Sequence, residues 1–357
     1  MELTGFQIFL SVLFALSGSI YTISSKSMDH IVSMGIDSVS RQFAHPLLKI
    51  NILFLGEILC MIAFLIAYHV LKRRMDSSVE ENVMTKGARY YNPLILWPPA
   101  VLNLLSSSLI LFGIILTNSF SLQIISCTSI ISVVFLSICI FKRNLKFYEW
   151  IGLILIIFGL LVIGFYQSKE HVKDELLGDI MIAVGQFLAA CQYIYEEAVI
   201  VRLDIPPLQF VGLEGIFGFI ILTIFMFPLE FFPLLEIFNG INSSNTVVNN
   251  LDAVAQIYNE PLLLVPLFIF MLSVGFYAFS GIYLTKELSA ITRMVFDALR
   301  IIIVWAFSVA LSWQEYNSIQ IAGFLMVIIG NCIFNDIYVI KALNIIKEKL
   351  SKSCNKA

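Results

Sequence analysis

Ten long apolar segments account for most of this chain and leave few stretches polar enough to form the surface of a soluble domain. Of its 357 residues, 59% are apolar and 13% are charged, whereas a soluble domain carries roughly 25% charged residues. A helix needs about 20 apolar residues to cross ~30 Å of hydrocarbon, and backbone groups left unpaired in lipid are costly. The sequence therefore predicts an all-α polytopic membrane protein. Its predicted spans are 6–25, 47–71, 94–116, 120–141, 149–166, 178–201, 208–227, 262–284, 290–311 and 317–339.

A short pattern near the end of the first half of the chain recurs near the end of the second half. Gly152 and Gly159 correspond to Gly323 and Gly330 at an offset of 171 residues. Each half carries five predicted spans, and an odd number places the two halves in opposite orientations, as in the inverted repeats of secondary transporters. The predicted organisation is a first five-helix repeat at 1–167, a second at 168–340 with a luminal loop at 228–261, and a basic cytosolic tail at 341–357.

The distribution of Lys and Arg predicts the orientation of the chain in the membrane. With the N-terminus in the cytosol, the cytosolic loops and the tail together hold 15 basic residues and the opposite loops hold 5. Cytosolic loops carry the excess of basic residues in membrane proteins. Both termini are therefore expected in the cytosol.

The loop 228–261 is then luminal, and two of its features agree with that side. It contains a glycosylation sequon at Asn242, and it has no Lys or Arg. Val247, Leu251, Val254 and Tyr258 recur at helical spacing. This spacing predicts a short amphipathic helix lying on the luminal surface of the membrane.

Three charged residues interrupt the ninth apolar segment and lie on one face of its predicted helix. Arg293 and Asp297 are four residues apart, and Asp297 and Arg300 are three apart. A charge at the membrane centre costs at least about 2.5 kcal/mol, so it usually faces a cavity or a partner. Arg300 lies about ten residues from the cytosolic end of its segment, and Glu57 lies about ten from the luminal end of the second segment. We predict that Arg300, Asp297 and Glu57 bind a solute; the alternative is an ion-pair network that only fixes helix packing.

Further polar residues lie near the cytosolic ends of the sixth and seventh segments. Gln192 and Glu196 share a helical face, and Glu214 stands among glycines that allow close helix approach. Gln192 is predicted to join the solute-binding set. The alternative for the acidic pair Glu196 and Glu197 is a structural bridge to Arg202 or to the basic loop after the fourth segment. The residues predicted to act in gating or coupling are Arg293, Glu196, Glu197, Glu214 and Lys26.

Motifs from the first to the tenth segment resemble the drug/metabolite transporter superfamily, which is built from two five-helix repeats, and within it the F branch of solute carrier family 35. The most specific run extends from Thr285 to Arg300. Shorter matching stretches are Gly18-Ser19-Ile20 with Lys26, His45-Pro46, Phe54 to Glu57, Gly178-Asp179, Gln186, Glu196-Glu197, and Gly212 to Gly218.

The resemblance implies a nucleotide sugar or a related anionic metabolite as the solute. In similar carriers a lysine of the ninth helix meets the substrate phosphate, and Arg300 occupies that position; a guanidinium suits phosphate geometry. The chain departs from the related pattern at Ser126-Cys127, where an Arg-Gly pair is expected. A branch of similar architecture, the chloroquine-resistance type, implies instead the proton-coupled export of amino acids, peptides or cationic drugs.

A membrane enzyme and a receptor or scaffold are the alternatives to a transporter. A membrane enzyme is disfavoured because no nucleophile motif or metal-ligand spacing is present, and the four histidines lie at loops or segment ends. A receptor or scaffold that transports nothing remains an alternative. The expected partners are a small solute and the lipid bilayer, with a homodimer left open and no nucleic acid, cofactor or metal. The resemblance favours an endomembrane, in the lysosome or the Golgi, with the mitochondrion as an open alternative.

Overall fold

The computed structural model describes residues 5–36, 38–43, 45–73, 86–88, 91–117, 119–165, 175–229, 250–313 and 316–335. Almost all regular structure in these ranges is helical, as the sequence predicts. The long helices are α1 Gly5–His30, α2 Pro46–Arg73, α3 Trp97–Leu116, α4 Ser119–Phe141, α5 Phe147–Phe165, α6 Glu175–Leu203, α7 Pro207–Leu229, α9 Leu264–Glu287, α10 Ala290–Ala310 and α11 Ser318–Phe334. A short helix, α8, covers Asn250–Asn259.

One small sheet departs from the predicted all-α class. Strands β1 (Val32–Met34) and β2 (Ser40–Gln42) form an antiparallel hairpin between α1 and α2, with Val32 opposite Gln42. Strands of three residues are too short to show a reliable alternation of polar and apolar residues in the sequence. The hairpin lies in a connection, outside the predicted membrane spans.

Seven of the described helices are long and apolar enough to cross a membrane, which confirms the polytopic membrane class. The described apolar parts of α4 and α11, Cys127–Phe141 and Ser318–Phe334, are shorter. Helix α10 has sufficient length, with 21 residues, but contains three charged side chains. The prediction that all ten segments span the membrane stays a prediction.

The ends of several helices differ from the predicted spans. Helix α1 continues to His30 and α6 begins at Glu175, beyond the predicted bounds 6–25 and 178–201. The predicted spans follow the apolar length that crosses the hydrocarbon. The helices are longer because their backbone hydrogen bonding continues beyond that apolar stretch. Helix α11 ends at Phe334, where Asn335 donates its backbone N–H to the carbonyl of Asn331.

Helices α5 and α11 cross at the recurring glycines, in opposite directions. A methyl group added at Gly152 would lie 2.7 Å from the carbonyl oxygen of Gly330, and one added at Gly159 would lie 2.7 Å from that of Gly323. The reciprocal distances, from Gly330 to Gly152 and from Gly323 to Gly159, are also 2.7 Å. The two backbones therefore touch, and the corresponding positions of the two halves exchange equivalent contacts.

Glycines also bring α7 against α2. A methyl group added at Gly215 would lie 2.6 Å from Cβ of Glu57, and Gly212 and Gly218 face Met61 and Phe54 in the same way. Small residues allow helix backbones to approach in the membrane. This approach places the acidic residues of α2 and α7 in the same part of the protein.

Candidate functional site

Four helices bring five polar side chains together in the interior of the bundle, and we call this group the central cluster. Its members are Glu57 of α2, Gln192 and Glu196 of α6, Glu214 of α7 and Arg293 of α10, and all five are buried. Apart from Gln192 and Glu196, which are one turn apart on α6, these residues are distant in sequence. Only the packing of α2, α6, α7 and α10 makes them neighbours.

Arg293 and Glu196 form the ion pair at the core of the central cluster. The guanidinium donates from Nη1 to Oε2 of Glu196 at 2.7 Å, and its carbon lies 4.4 Å from the centre of the Tyr193 ring. Gln192 donates from Nε2 to Oε1 of Glu196 at 2.6 Å and to Oε1 of Glu214 at 2.8 Å. A buried ion pair needs such additional hydrogen bonds to offset the loss of water.

Glu57 accepts a single hydrogen bond among the described residues. Asn103 of α3 donates to its Oε1 at 3.4 Å. Its Oε2 has no hydrogen-bond partner among the described residues. Buried carboxylate oxygens are usually hydrogen-bonded, so this oxygen requires an explanation.

A second group, the arginine pocket, lies between α1, α9 and α10 and consists of Arg300, Asp297, Thr22 and Tyr277. Arg300 donates to Asp297 Oδ2 at 3.0 Å and to the Thr22 hydroxyl at 3.1 Å. The Tyr277 hydroxyl donates to Asp297 Oδ1 at 3.0 Å. The side chains of Arg300 and Asp297 are 24% and 17% exposed, so this pair is partly exposed, unlike the central cluster.

The N-terminal end of α10 is closed by contacts from two connections and from α6. Glu197 pairs with Arg143, which follows α4, and its other oxygen accepts a hydrogen bond from the backbone N–H of Ala290 at 3.1 Å. A carboxylate at a helix N-terminus is favoured by the helix dipole. Lys286 reaches Asp204, after α6, at 2.7 Å. Together these contacts tie the end of α9 and the start of α10 to the ends of α4 and α6.

The residues predicted to bind solute are therefore divided between two places. Arg300 and Asp297 belong to the arginine pocket, whereas Glu57 and Gln192 belong to the central cluster. Lys26 is exposed on α1, four residues beyond Thr22 and thus on the same helical face. Asn242 lies outside the described residues.

The residues predicted for gating are also divided. Glu196, Glu214 and Arg293 belong to the central cluster, and Glu197 belongs to the closure at the start of α10. Tyr277 and Thr22 were missed by sequence reasoning, since tyrosine and threonine are ordinary in membrane helices. Asn103 was missed too, although an amide in an apolar segment is a signal that would have found it.

A third polar group, the hairpin cluster, lies between the β hairpin, the start of α2 and helix α8. Asp252 of α8 accepts hydrogen bonds at 2.9 Å from Arg41 and from the backbone N–H of Ile36. His45 lies 3.6 Å from Asp252 and 3.2 Å from the side-chain oxygen of Gln256. Burial lowers the pKa of His45, and the neighbouring Asp252 carboxylate opposes this by raising it.

Helix α8 is present in the predicted luminal loop, and it packs on the protein with its polar side. Asp252 and Gln256 are buried, whereas Leu251, Val254 and Tyr258 are 67%, 62% and 83% exposed. The apolar side therefore points away from the protein. That orientation suits the predicted position of α8 on a membrane surface, which stays a prediction.

Comparison with known proteins identifies the family. The model for SLC35F, solute carrier family 35, matches residues 20–292. The human protein named solute carrier family 35 member F6 is 34% identical over 345 residues, which cover 95% of this chain and 91% of the human protein. The mouse protein of the same name has the same identity and coverage.

A solved crystal structure shares the fold. It has a TM-score of 0.59 at 12% sequence identity and covers 92% of this chain, with 95% of its own length matched. At this identity the likeness concerns the fold alone. The family match and the human and mouse relatives go further, and they show that the chain belongs to solute carrier family 35 in its SLC35F branch.

Proposed function

We propose that this protein is a secondary transporter that moves a small anionic metabolite, of the nucleotide-sugar type, by alternating access across an endomembrane. The observation that carries the proposal is the partly exposed side chain of Arg300 in the arginine pocket. Arg has five N–H donors; Arg300 uses one on Nη1 for Thr22 and one on Nη2 for Asp297, which leaves a second N–H on each, while its Nε is buried and has no partner among the described residues. Donors remain for an oxyanion, and a guanidinium suits the bidentate geometry of phosphate.

The reciprocal glycine contacts between α5 and α11 support an inverted-repeat architecture. When residue i of one unit touches residue j of the other, and j touches i, the two units are related by a two-fold axis. Gly152 with Gly330 and Gly159 with Gly323 have this relation. Alternating access in such transporters is largely a rocking of one repeat against the other.

The closure at the start of α10 is the proposed cytosolic gate. Glu197 would have to leave Arg143 and the N-terminus of α10 for this end to open, and Lys286 would have to leave Asp204. The central cluster would follow the same movement because Arg293 and Glu196 lie on α10 and α6. On the opposite, luminal side, Lys26 of α1 is the proposed gating residue on the path to Arg300.

A second candidate function is the proton-coupled export of amino acids, peptides or cationic drugs. The observation that favours it is the 3.0 Å distance between Arg300 and Asp297. A cation and an anion side by side suit the carboxylate and the ammonium of an amino acid. The two functions differ in the charge of the solute that the arginine pocket accepts.

A thermal-shift screen of the purified protein separates these candidates. The compounds are nucleotide sugars, nucleoside monophosphates, amino acids, small peptides and cationic amines. A ligand present at 100 times its Kd stabilises the folded state by about 2.7 kcal/mol. We expect phosphate-bearing compounds to raise the unfolding temperature, and we expect this rise to be lost in Arg300→Ala.

The control is Arg202→Ala, which removes an exposed arginine at the end of α6. It should keep the ligand-dependent rise. Stabilisation by phosphate compounds that persists in Arg300→Ala contradicts the proposed site. Stabilisation only by amino acids or cations favours the second candidate, and hits are then taken to uptake measurements in liposomes.

A further inference from the structure

Two buried carboxyl groups in the central cluster, those of Glu57 and Glu214, have no basic partner of their own. The residues are 5% and 4% exposed. Among the described residues, Glu57 accepts one hydrogen bond from Asn103 at 3.4 Å, and Glu214 accepts one from Gln192 at 2.8 Å. Both of these donors are neutral amides, so neither carboxyl group is balanced by a contacting charge.

The guanidinium in the central cluster is already paired. Arg293 donates to Glu196 at 2.7 Å, and these two charges cancel. The side-chain amide of Gln192 has two N–H donors, and it bonds both Glu196 and Glu214. Other polar groups on the helices packed around Glu57 and Glu214 include the Cys60 thiol on α2, Asn103 on α3, Tyr193 on α6, Tyr277 on α9 and Asp297 on α10. These groups supply no positive charge, and the second arginine of α10, Arg300, is already paired with Asp297.

A second and independent observation concerns the oxygen Oε2 of Glu57. This oxygen is buried and has no hydrogen-bond partner in the part of the chain that the structure describes. Glu57 interacts electrostatically with Glu196 and Arg293, and Glu214 interacts with Glu57, so the carboxyl group belongs to the central cluster. An ionised carboxyl group only accepts hydrogen bonds, whereas a protonated one also donates. A proton is the ligand that removes a charge at this position without requiring further ligands.

We propose that Glu57 and Glu214 form a proton-binding site, separate from the arginine pocket, that holds at least one proton at neutral pH. Two ionised carboxylates that share a buried site disfavour each other and lose their hydration. Binding adds a proton to one carboxylate oxygen and changes no other bond. A metal ion is a poorer fit, because the described residues contain no group of three or more His, Cys, Asp or Glu side chains arranged to hold one.

The site would couple proton movement to the movement of solute, and this role rests on the proposed transport function. Gly215 holds α7 against Glu57, so a change in the packing of α2 on α7 would separate the two carboxyl groups and admit water. Hydrated carboxyl groups release the proton. Proton binding itself can be measured without any solute.

Infrared spectroscopy of the purified full-length protein tests the proposal. The carbonyl stretch of a protonated carboxyl group is separate from the bands of carboxylates and shifts in D2O. We expect the wild type at pH 7 to show this band without added solute. The band should lose intensity in Glu57→Gln and in Glu214→Gln and remain unchanged in Glu149→Gln, whose carboxyl group lies at the exposed start of α5.

Absence of the protonated-carboxyl band from the wild type at pH 7 would overturn the proposal. A band that keeps its wild-type intensity in both Glu57→Gln and Glu214→Gln would overturn it as well. Thermal unfolding gives a second readout, because glutamine resembles a protonated glutamic acid. Glu57→Gln should unfold within a few degrees of the wild type, and a large loss of stability would mean that the negative charge is required. Neither readout depends on Arg300, so a failed solute screen leaves this test intact.

Discussion

Arg293 and Arg300 are two turns apart on α10 and yet have different surroundings. Arg293 is buried, pairs with Glu196 of another helix and lies over the Tyr193 ring. Arg300 pairs with Asp297 of its own helix and remains 24% exposed. The difference follows from the packing around α10, whose first half is buried and whose second half is partly exposed. Burial therefore assigns Arg293 to the interior network and leaves Arg300 partly exposed.

His45 offers a prediction about pH at the residue scale. It precedes α2, outside the membrane spans, and burial lowers its pKa below the ordinary value of 6.5, against the opposing effect of Asp252. Arg41 and Lys49 lower it further. The unfolded chain then binds a proton at pH values where the folded protein does not. Stability that is present above about pH 6.5 is therefore lost as the pH falls below it, by about 1.4 kcal/mol for each pKa unit between the two states.

Unfolding temperatures measured between about pH 7.5 and 5.5 check this sign. His45→Gln should show a smaller loss of stability on acidification than the wild type. His69→Gln, which changes an exposed histidine of α2, should follow the wild-type curve. If wild type and His45→Gln run parallel over this range, His45 is not the group that titrates.

At the scale of elements, the crossing of α5 and α11 depends on the absence of side chains. The methyl group of Gly159→Ala would meet the carbonyl oxygen of Gly323 at 2.7 Å, so the helices would have to separate. Overpacking of this kind costs about 1–3 kcal/mol. We expect a clear drop in the unfolding temperature of the purified protein.

Gly5→Ala is the matched control for this prediction, because a methyl group at Gly5 meets nothing within 4 Å. It should unfold at or slightly above the wild-type temperature, since alanine favours helix more than glycine does. Equal stability of Gly159→Ala and wild type would mean that α5 and α11 do not pack as closely as described.

The elements were more predictable from the sequence than the contacts between their polar side chains. Apolar length alone located the long helices, because hydrocarbon thickness and backbone hydrogen bonding leave few alternatives. The face shared by Arg293, Asp297 and Arg300 follows from helical geometry. The pairing of Arg293 with Glu196 does not, because it depends on how α6 and α10 are rotated about their axes.

The contacts of Asn103 and Tyr277 could not be predicted from the sequence either. Their hydrogen bonds to Glu57 and Asp297 depend on the depth of α3 and α9 relative to α2 and α10. No pattern within one helix encodes that depth. The hairpin of β1 and β2 was missed for a different reason. A strand of three residues is too short to show the alternation of polar and apolar residues by which strands are predicted.

At the scale of the whole molecule, the predicted orientation places both termini in the cytosol and Asn242 in the lumen. Expression in a mammalian cell should therefore give a protein whose mass falls on treatment with a glycosidase. The fall should be absent in Asn242→Gln. Epitope tags at the two ends should both be digested when protease is added to intact vesicles.

Asn245→Gln, in the same loop but outside the sequon, is the control and should remain glycosylated. Protection of either tag from protease contradicts the orientation. Protection of only one tag also contradicts an even number of spans.

The glycine crossing of α5 and α11 has a consequence for the ancestry of the chain. Reciprocal contacts of this kind are those of a homodimer, so a five-helix polypeptide inserted in both orientations could meet its own copy through the same two glycines. Duplication and fusion of its gene would keep the crossing while freeing the copies to diverge. Arg300 stands eight residues before Ser308, and Ser129 stands eight residues before the corresponding Ser137. If the two predicted repeats descend from one such polypeptide, one helix has acquired a cation where its twin has a small hydroxyl, a division of labour that identical subunits cannot achieve.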